Sequence, residues 1–279
     1  MTSPPILIAQ ISDLHIKRWG ALAYGRADTA AALARCIAEL NRFVPRPQLV
    51  VISGDLADTP AQEEYAHLRE LLAPLELPIV AVPGNHDGRS LLRAAFPAQP
   101  YAQPTGALNF SLSVGPLDIV LLDSSVPGEP YGMLDADTLR WLDATLAASD
   151  SRPALLFLHH PPFVTGIEHM DRQNLRNANE FATIARRHPR ARLLAAGHIH
   201  RATLTMFAGI AATICPAPNY AVALDLAAQL PPSFMVEPPA FHLHAWFPGE
   251  GFGDVVTHLV PIGNFDGPYP FFDAEGRQL

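Results

Sequence analysis

Ile6-Leu7-Ile8-Ala9-Gln10-Ile11-Ser12-Asp13-Leu14-His15 is an apolar run that stops on a polar cluster holding an acid and a histidine. Runs this short, rich in Ile, Val and Leu and closed by polar residues, Gly or Pro, read as buried strands. The same unit returns along the chain. Leu49 to Ser53 leads into Gly54-Asp55, and Ile79 to Val82 into Pro83-Gly84-Asn85-His86-Asp87. Leu117 to Leu122 ends at Asp123-Ser124-Ser125, Ala154 to Leu158 at His159-His160-Pro161-Pro162, and Leu193 to Ala196 at Gly197-His198-Ile199-His200.

Helical patterns lie between these runs. Asp28 to Phe43 places Leu33, Ile37 and Leu40 on one face. Thr59-Pro60-Ala61-Gln62 reads as an N-cap, a first-turn proline and a capping-box Gln. Asp135 to Ala148 aligns Leu139, Leu142 and Leu146, and Asn177 to Glu180 resembles a second capping box. Strands alternating with helices predict an α/β architecture with substantial parallel pairing. Beyond His200, Thr203 to Phe207 and Ile210 to Cys215 form an expected hairpin about Ala208-Gly209. Phe241 to Phe247 and Val255 to Pro261 read as two more strands, around the glycine-rich Pro248 to Gly253. Pro231-Pro232 and Pro238-Pro239 bracket a loop expected to border the cleft. We divide the chain into a catalytic domain, residues 1–230, and a C-terminal pair of strands with a proline-rich tail, residues 231–279. The latter is expected to pack on the same domain, at the cleft or against a second subunit.

The composition, 49% hydrophobic and 16% charged, fits a globular chain with a sizeable core. A formal net charge of -8 argues against a nucleic-acid polymer as partner, because phosphate-backbone binders carry a basic footprint. Cys36 and Cys215 are too few for a disulfide framework and sit in apolar surroundings, so a core role is expected for both. Met1 to Pro5 shows no start of a signal peptide, and no apolar stretch approaches the roughly 20 residues that span a bilayer. A cytoplasmic protein without membrane attachment is the expectation.

In open α/β sheets, functional groups gather beyond the carboxyl ends of the strands. Here those ends carry Asp13, His15, Asp55, Asn85, His86, His159, His198 and His200, all metal-ligand or proton-transfer types. Two divalent cations bring about four positive charges and the two aspartates return two, so the site keeps a positive character suited to a phosphate anion. Mixed oxygen and nitrogen donors suit Mn, Fe, Co or Zn better than Ca or Mg.

The ordered set Asp13-x-His15, Gly54-Asp55, Gly84-Asn85-His86-Asp87, His159 and Gly197-His198-x-His200 resembles the full signature of the calcineurin-like metallophosphoesterases. That resemblance implies a four-layer α/β/β/α sandwich of two mixed sheets flanked by helices. It implies that Asp13, His15 and His200 hold one metal, that Asp55 bridges to a second, and that Asn85, His159 and His198 complete the coordination of that second metal. His86 would face the substrate phosphate and serve the leaving oxygen, with Asp87 orienting it, and Asn85 would also contact substrate. His160, next to His159, is expected either to contact substrate or to orient its neighbour. The implied reaction is in-line attack on phosphorus by a hydroxide shared between the metals.

Within that superfamily the segments Ile11 to His15, Leu158 to Pro162 and Asp123 to Gly128 are similar to those of class III cyclic-nucleotide phosphodiesterases and bacterial glycerophosphodiesterases. The implied substrate is a small phosphodiester, cyclic nucleotide or glycerophosphodiester. The alternatives are a phosphomonoesterase or promiscuous phosphoesterase, and a non-catalytic scaffold of the same fold. One departure lies at Asn219-Tyr220, where some of these phosphodiesterases carry a histidine.

Other residues have plainer readings. Asp123 is expected in a turn or hydrogen-bonding role, and Arg26 at the surface. His242 and His244 share one strand face and are explained by the surface as well as by a cleft. His67, His169, His188 and His258 have no motif support.

Overall fold

The computed structural model describes residues 4–149, 151–250 and 253–278. Met1 to Ser3, part of the stretch used above to judge a signal peptide, lie outside them, as do two residues of the glycine-rich turn and the last residue of the tail. In chain order the elements are β1 (Ile6–Ile11), α1 (Thr29–Arg42), β2 (Leu49–Ser53), α2 (Gln62–Leu72), β3 (Ile79–Val82) and α3 (Arg89–Ala95). Then follow β4 (Phe110–Val114), β5 (Leu117–Leu122), α4 (Ala136–Ala147), β6 (Ala154–Leu158), α5 (Glu168–Asp171), α6 (Ala178–Arg187) and β7 (Ala191–Ala196). The C-terminal part adds β8 (Thr203–Phe207), β9 (Ile210–Ile214), the two-residue strands β10 (Ala221–Val222) and β11 (Phe234–Met235), β12 (Ala240–Phe247) and β13 (Asp254–Pro261).

Two mixed sheets result. One runs β13-β12-β1-β2-β3 and the other β4-β5-β6-β7-β9-β8, with parallel pairing among β1, β2 and β3 and among β5, β6, β7 and β9. The sheets face each other through Ile8, Val51 and Val82 on one side and Ile119, Phe157 and Leu193 on the other. The outer face of the first sheet packs Leu7, Ile11 and Ile52 on α1 and α2 through Leu33, Leu40 and Leu68. The outer face of the second packs Leu156 and Leu194 on α4 and α6 through Leu142 and Phe181. Strands buried on both faces have no polar side to alternate with, which is why they read as unbroken apolar runs. The layers are therefore α/β/β/α.

Several local expectations change. α2 begins at Gln62, and no side chain caps Ala61; Glu64 instead takes both the Thr59 N–H and its hydroxyl, fixing the loop ahead of the helix. Asn177 precedes α6 but spends its amide on both backbone groups of Leu134, so the second capping box does not form. His242 and His244 are 4% and 0% exposed, not at the surface. They lie inside because β12 pairs with β1, and His244 Nε2 meets Gln10 Oε1 at 3.1 Å. β4 is a strand the apolar runs do not predict, because its signal is alternation, Phe110 and Leu112 inward with Ser111 and Ser113 outward. Both cysteines are buried and free. Asp123 accepts from the Arg89 guanidinium and from the N–H groups of Leu108 and Ser125, the hydrogen-bonding role its turn predicts. The tail beyond β13 exposes Phe265, Tyr269, Phe271 and Phe272. No helix among the described residues is long and apolar enough to cross a membrane.

Candidate metal centre

β1, β2, β3, β6 and β7 deliver their carboxyl ends to one rim, and the loops that follow are laced together by backbone. Asp13 N–H donates to Gly54 O at 3.0 Å and His15 N–H to Asp55 O at 2.9 Å, so these two loops continue the pairing of their strands. Gly197 N–H donates to His159 O at 3.0 Å and does the same for β6 and β7. The two halves are joined at the Asp13 carboxylate, which accepts from His198 N–H at 3.0 Å. Asn219 donates to both Asp13 O and Leu14 O, at 2.9 and 3.0 Å. Its amide braces the first loop instead of facing the cleft.

Such tight convergence strains the backbone. Eight non-glycine residues among those described have positive φ; Asp13, His15, Asp55, His198 and His200 are five of them. Left-handed backbone disfavours a Cβ, and its concentration at one rim marks a site the surrounding fold must enforce. Space is equally short. A Cβ at Gly84 would sit 2.1 Å from Asp55 Oδ1, and one at Gly54, where φ is +103°, 2.3 Å from His159 Nδ1.

The donors form two lobes. In one, His15 Nε2 and His200 Nε2 are 3.2 Å apart, and His200 Nε2 is 3.5 Å from Asp13 Oδ1. In the other, His159 Nε2 lies 3.2 Å from Asn85 Oδ1 and 3.3 Å from His198 Nδ1. Asp55 Oδ2 touches both, at 3.5 Å from His15 Nε2 and 3.3 Å from His159 Nε2. The ring orientations are set from behind. His159 Nδ1 donates to Ser53 O at 2.9 Å and His200 Nδ1 to Tyr220 O at 3.1 Å, which turns both Nε2 lone pairs inward.

This is an assembly of acceptors facing acceptors. When His159 is neutral, its Nε2, Asn85 Oδ1 and Asp55 Oδ2 have no proton to share, and His198 Nε2 is buried without a hydrogen-bond partner among the described residues. A proton on His159 or a metal cation in its place relieves the arrangement, and the donor set of imidazole, carboxylate and amide oxygen fits divalent transition metals. The protonation equilibria respond to the same field. Burial lowers the His159 imidazole, but Asp55 and Asp13 outweigh it and raise it to about 9. Burial raises the Asp55 carboxyl, yet His159 and His86 hold it well below the usual range. Burial lifts Asp13 to about 6 and pushes His200 down to about 4; it also lowers His15 and His198. Neutral imidazoles at these three positions are ready to donate lone pairs.

His86 sits beside the cluster, its N–H donating to Asp55 Oδ1 at 2.9 Å and its ring Nδ1 to Asp58 O at 2.7 Å. The partner that orients His86 is thus the Asp58 carbonyl, not Asp87. Asp87 turns away and accepts from Gly84, Leu56 and Ala57 N–H and from the Tyr65 hydroxyl, because these loop amides would otherwise be buried unpaired. Of the two roles expected for His160, substrate contact is the one the structure does not provide. His160 is 0% exposed, held by Ser124 Oγ at 2.8 Å, and lies behind His159 and His198 without lining the cleft. The cleft itself is a cavity of about 410 Å³ bordered by the cluster and by Tyr24, His169, Gln173, Tyr220 and Phe234. Pro232 and Ser233 of the proline-bracketed loop border it too. No spacing rule points to Tyr24, His169 or Phe234, since each arrives from a loop or short element whose course the strands do not dictate.

Strand-end acceptors crowded around space for cations, on two facing sheets, define a metal-dependent hydrolase. Residues 6–202 match the calcineurin-like phosphoesterase family, and the chain belongs to it. The family uses a dinuclear metal centre, and the chain is accordingly a metal-dependent phosphoric ester hydrolase. It is 38% identical over 275 residues to a probable glycerophosphodiester phosphodiesterase of Arcobacter nitrofigilis, covering 98% of this chain and 100% of that one. It is 35% identical over 219 residues to a probable cyclic nucleotide phosphodiesterase of Synechococcus, covering 74% of this chain and 80% of the relative. Its fold is shared with a dimetal phosphatase from Danio rerio at a TM-score of 0.63 and 17% identity, over 94% of this chain and 100% of that one.

Proposed function

We propose that the chain hydrolyses a small phosphodiester at two divalent transition metals, with Asp13, His15 and His200 holding one, Asn85, His159 and His198 the other, and Asp55 both. The observation that carries this reading is Asp55 Oδ2 standing within 3.5 Å of His15 and 3.3 Å of His159, beside an open cavity of about 410 Å³. When bound, the cations supply the Lewis-acid charge that neutralises phosphoryl oxygens and acidifies water. The protein's part is positioning and proton handling. His86 donates Nδ1–H to Asp58 O, leaving Nε2 for the cavity it lines. Burial lowers its basicity, but Asp55 overcomes this and raises it, so the ring can hold a proton for the departing alkoxide.

Mn, Fe, Zn and Co all suit this donor set, and a diester is favoured over a monoester by the names of the two relatives. A net charge of -8 and the lack of Lys or Arg among the described cavity residues support a small substrate over a nucleic-acid polymer. The exposed aromatic tail supports a homo-oligomer, which light scattering would test. For the reaction, bis(p-nitrophenyl) phosphate and p-nitrophenyl phosphate are compared after chelation and readdition of Mn²⁺. Faster diester turnover that depends on the metal is expected. A much faster monoester reaction would replace the diesterase with a monoesterase, and protein that takes up no metal would leave a scaffold.

A further inference from the structure

Charge in the metal centre can account for holding a phosphoryl group, but not for the organic substituent that the ester carries. That substituent must occupy the rest of the cavity. Tyr24 and Phe234 stack there with ring centroids 5.0 Å apart and planes at 30°. Tyr220 closes the group, 5.2 Å from Phe234 and 5.6 Å from Tyr24. Its ring also lies 4.8 Å from that of His200, so the aromatic wall begins where the metal donors end.

Simple packing explains part of this, since Tyr220 forms a small apolar cluster with Ala23 and Ala27. It does not explain three features. Tyr24 is 63% exposed, too open for a core residue, and is held at φ +51°, a left-handed conformation that a bulky side chain rarely adopts. Tyr220 is 4% exposed, and the side chain its hydroxyl interacts with is that of Tyr24, itself on the cavity border, so the phenol is turned towards the cavity and not into the core. Finally, among the described residues bordering the cavity Asp55 is the only acid and there is no Lys or Arg, so a substituent with its own charge has no free counter-ion.

We propose that Tyr24, Tyr220 and Phe234 form a subsite for a flat, uncharged ring on the phosphodiester, with the Tyr220 hydroxyl donating to a substrate phosphoryl oxygen. The inference rests on the phosphodiesterase reading above. Flat rings stack on aromatic faces, whereas a polyol gains little from this wall without added hydroxyl acceptors; an ammonium headgroup is drawn to ring faces but repelled by the positive metal centre beside them.

Phenylphosphonate and methylphosphonate share one anionic head and differ only in the ring, so calorimetric titration of the metal-loaded protein isolates the subsite from catalysis. The phenyl ligand should bind about tenfold tighter or better, the usual worth of one aromatic stack. In Tyr24→Ala and Phe234→Ala that ratio should collapse towards one because the phenyl ligand weakens more than the methyl ligand; Tyr24→Phe should keep it. Tyr220→Phe should weaken both ligands by about tenfold, as loss of a hydrogen bond to a charged group does. Equal binding of the two phosphonates by the unaltered protein, or a ratio untouched in both alanine variants, overturns the ring subsite while the phosphoesterase reading stands. Unchanged binding by Tyr220→Phe overturns the hydroxyl's role. Binding of neither phosphonate overturns the phosphoesterase reading and this inference with it.

Discussion

His159 Nε2 lies 3.3 Å from Asp55 Oδ2, although the two residues stand at the ends of strands in different sheets. Asp55 also reaches His15, so a single carboxylate couples the two lobes of donors. Asp55→Ala should therefore abolish binding at both metal positions together. Elemental analysis of the purified variant is expected to show little metal, with activity lower by about 10³-fold or more. A variant that keeps both metals and full turnover would falsify the coupling.

His86 predicts the opposite split. Its ring lies 4.7 Å from that of His15, at the edge of the first lobe, and it is close enough to His15 and Asp55 to share a cation. Because it acts as proton donor and not as ligand, His86→Ala should retain metal while kcat falls by roughly 10²–10⁴-fold, the usual worth of a general acid. Metal content and steady-state kinetics on the same preparation decide it. Loss of metal in parallel with activity would make His86 a ligand.

Asp87 is a matter of stability. Its carboxylate closes the Gly84, Leu56 and Ala57 N–H groups and the Tyr65 hydroxyl. Asp87→Ala leaves those donors buried and should cost about 3–5 kcal/mol in urea unfolding, against about 1 kcal/mol for Tyr65→Phe. If the protein instead unfolds as before and only its pH–rate profile moves, Asp87 acts through His86 after all.

Metal removal should reverse the response to pH. In the metal-free protein the His159 imidazole is raised to about 9 from an ordinary 6.5, so the stability it contributes is complete below about pH 6.5 and fades as pH rises through about 9. Metal binding needs the neutral ring and must displace that proton. Melting of chelated protein should thus drop between pH 7 and 10, while the increment in Tm gained from Mn²⁺ grows. Calorimetry at pH 7 in buffers of different ionisation enthalpy should show about one proton released from this ring. Proton uptake, or no buffer dependence, would contradict it.

What the sequence determined by itself was local in origin. Buried parallel strands need apolar residues on both faces, so Ile6–Ile11, Leu49–Ser53 and Ala154–Leu158 announce themselves, and the polar residues that stop them are necessarily at the sheet's rim. The order Asp13, His15, Asp55, Asn85, His86, His159, His198 and His200 was therefore legible as one rim's worth of chemistry. Tertiary structure alone decided how those groups are held and what surrounds them. Asp87 serves loop amides, His160 stands behind the ligands, and His244 is buried against Gln10, because Ala57, Ser124 and Gln10, which hold them, lie on segments distant in sequence. The aromatic wall is the extreme case. Tyr24, Tyr220 and Phe234 come from separate stretches of loop and short strand, and loops follow no periodicity from which a shared cavity could be read.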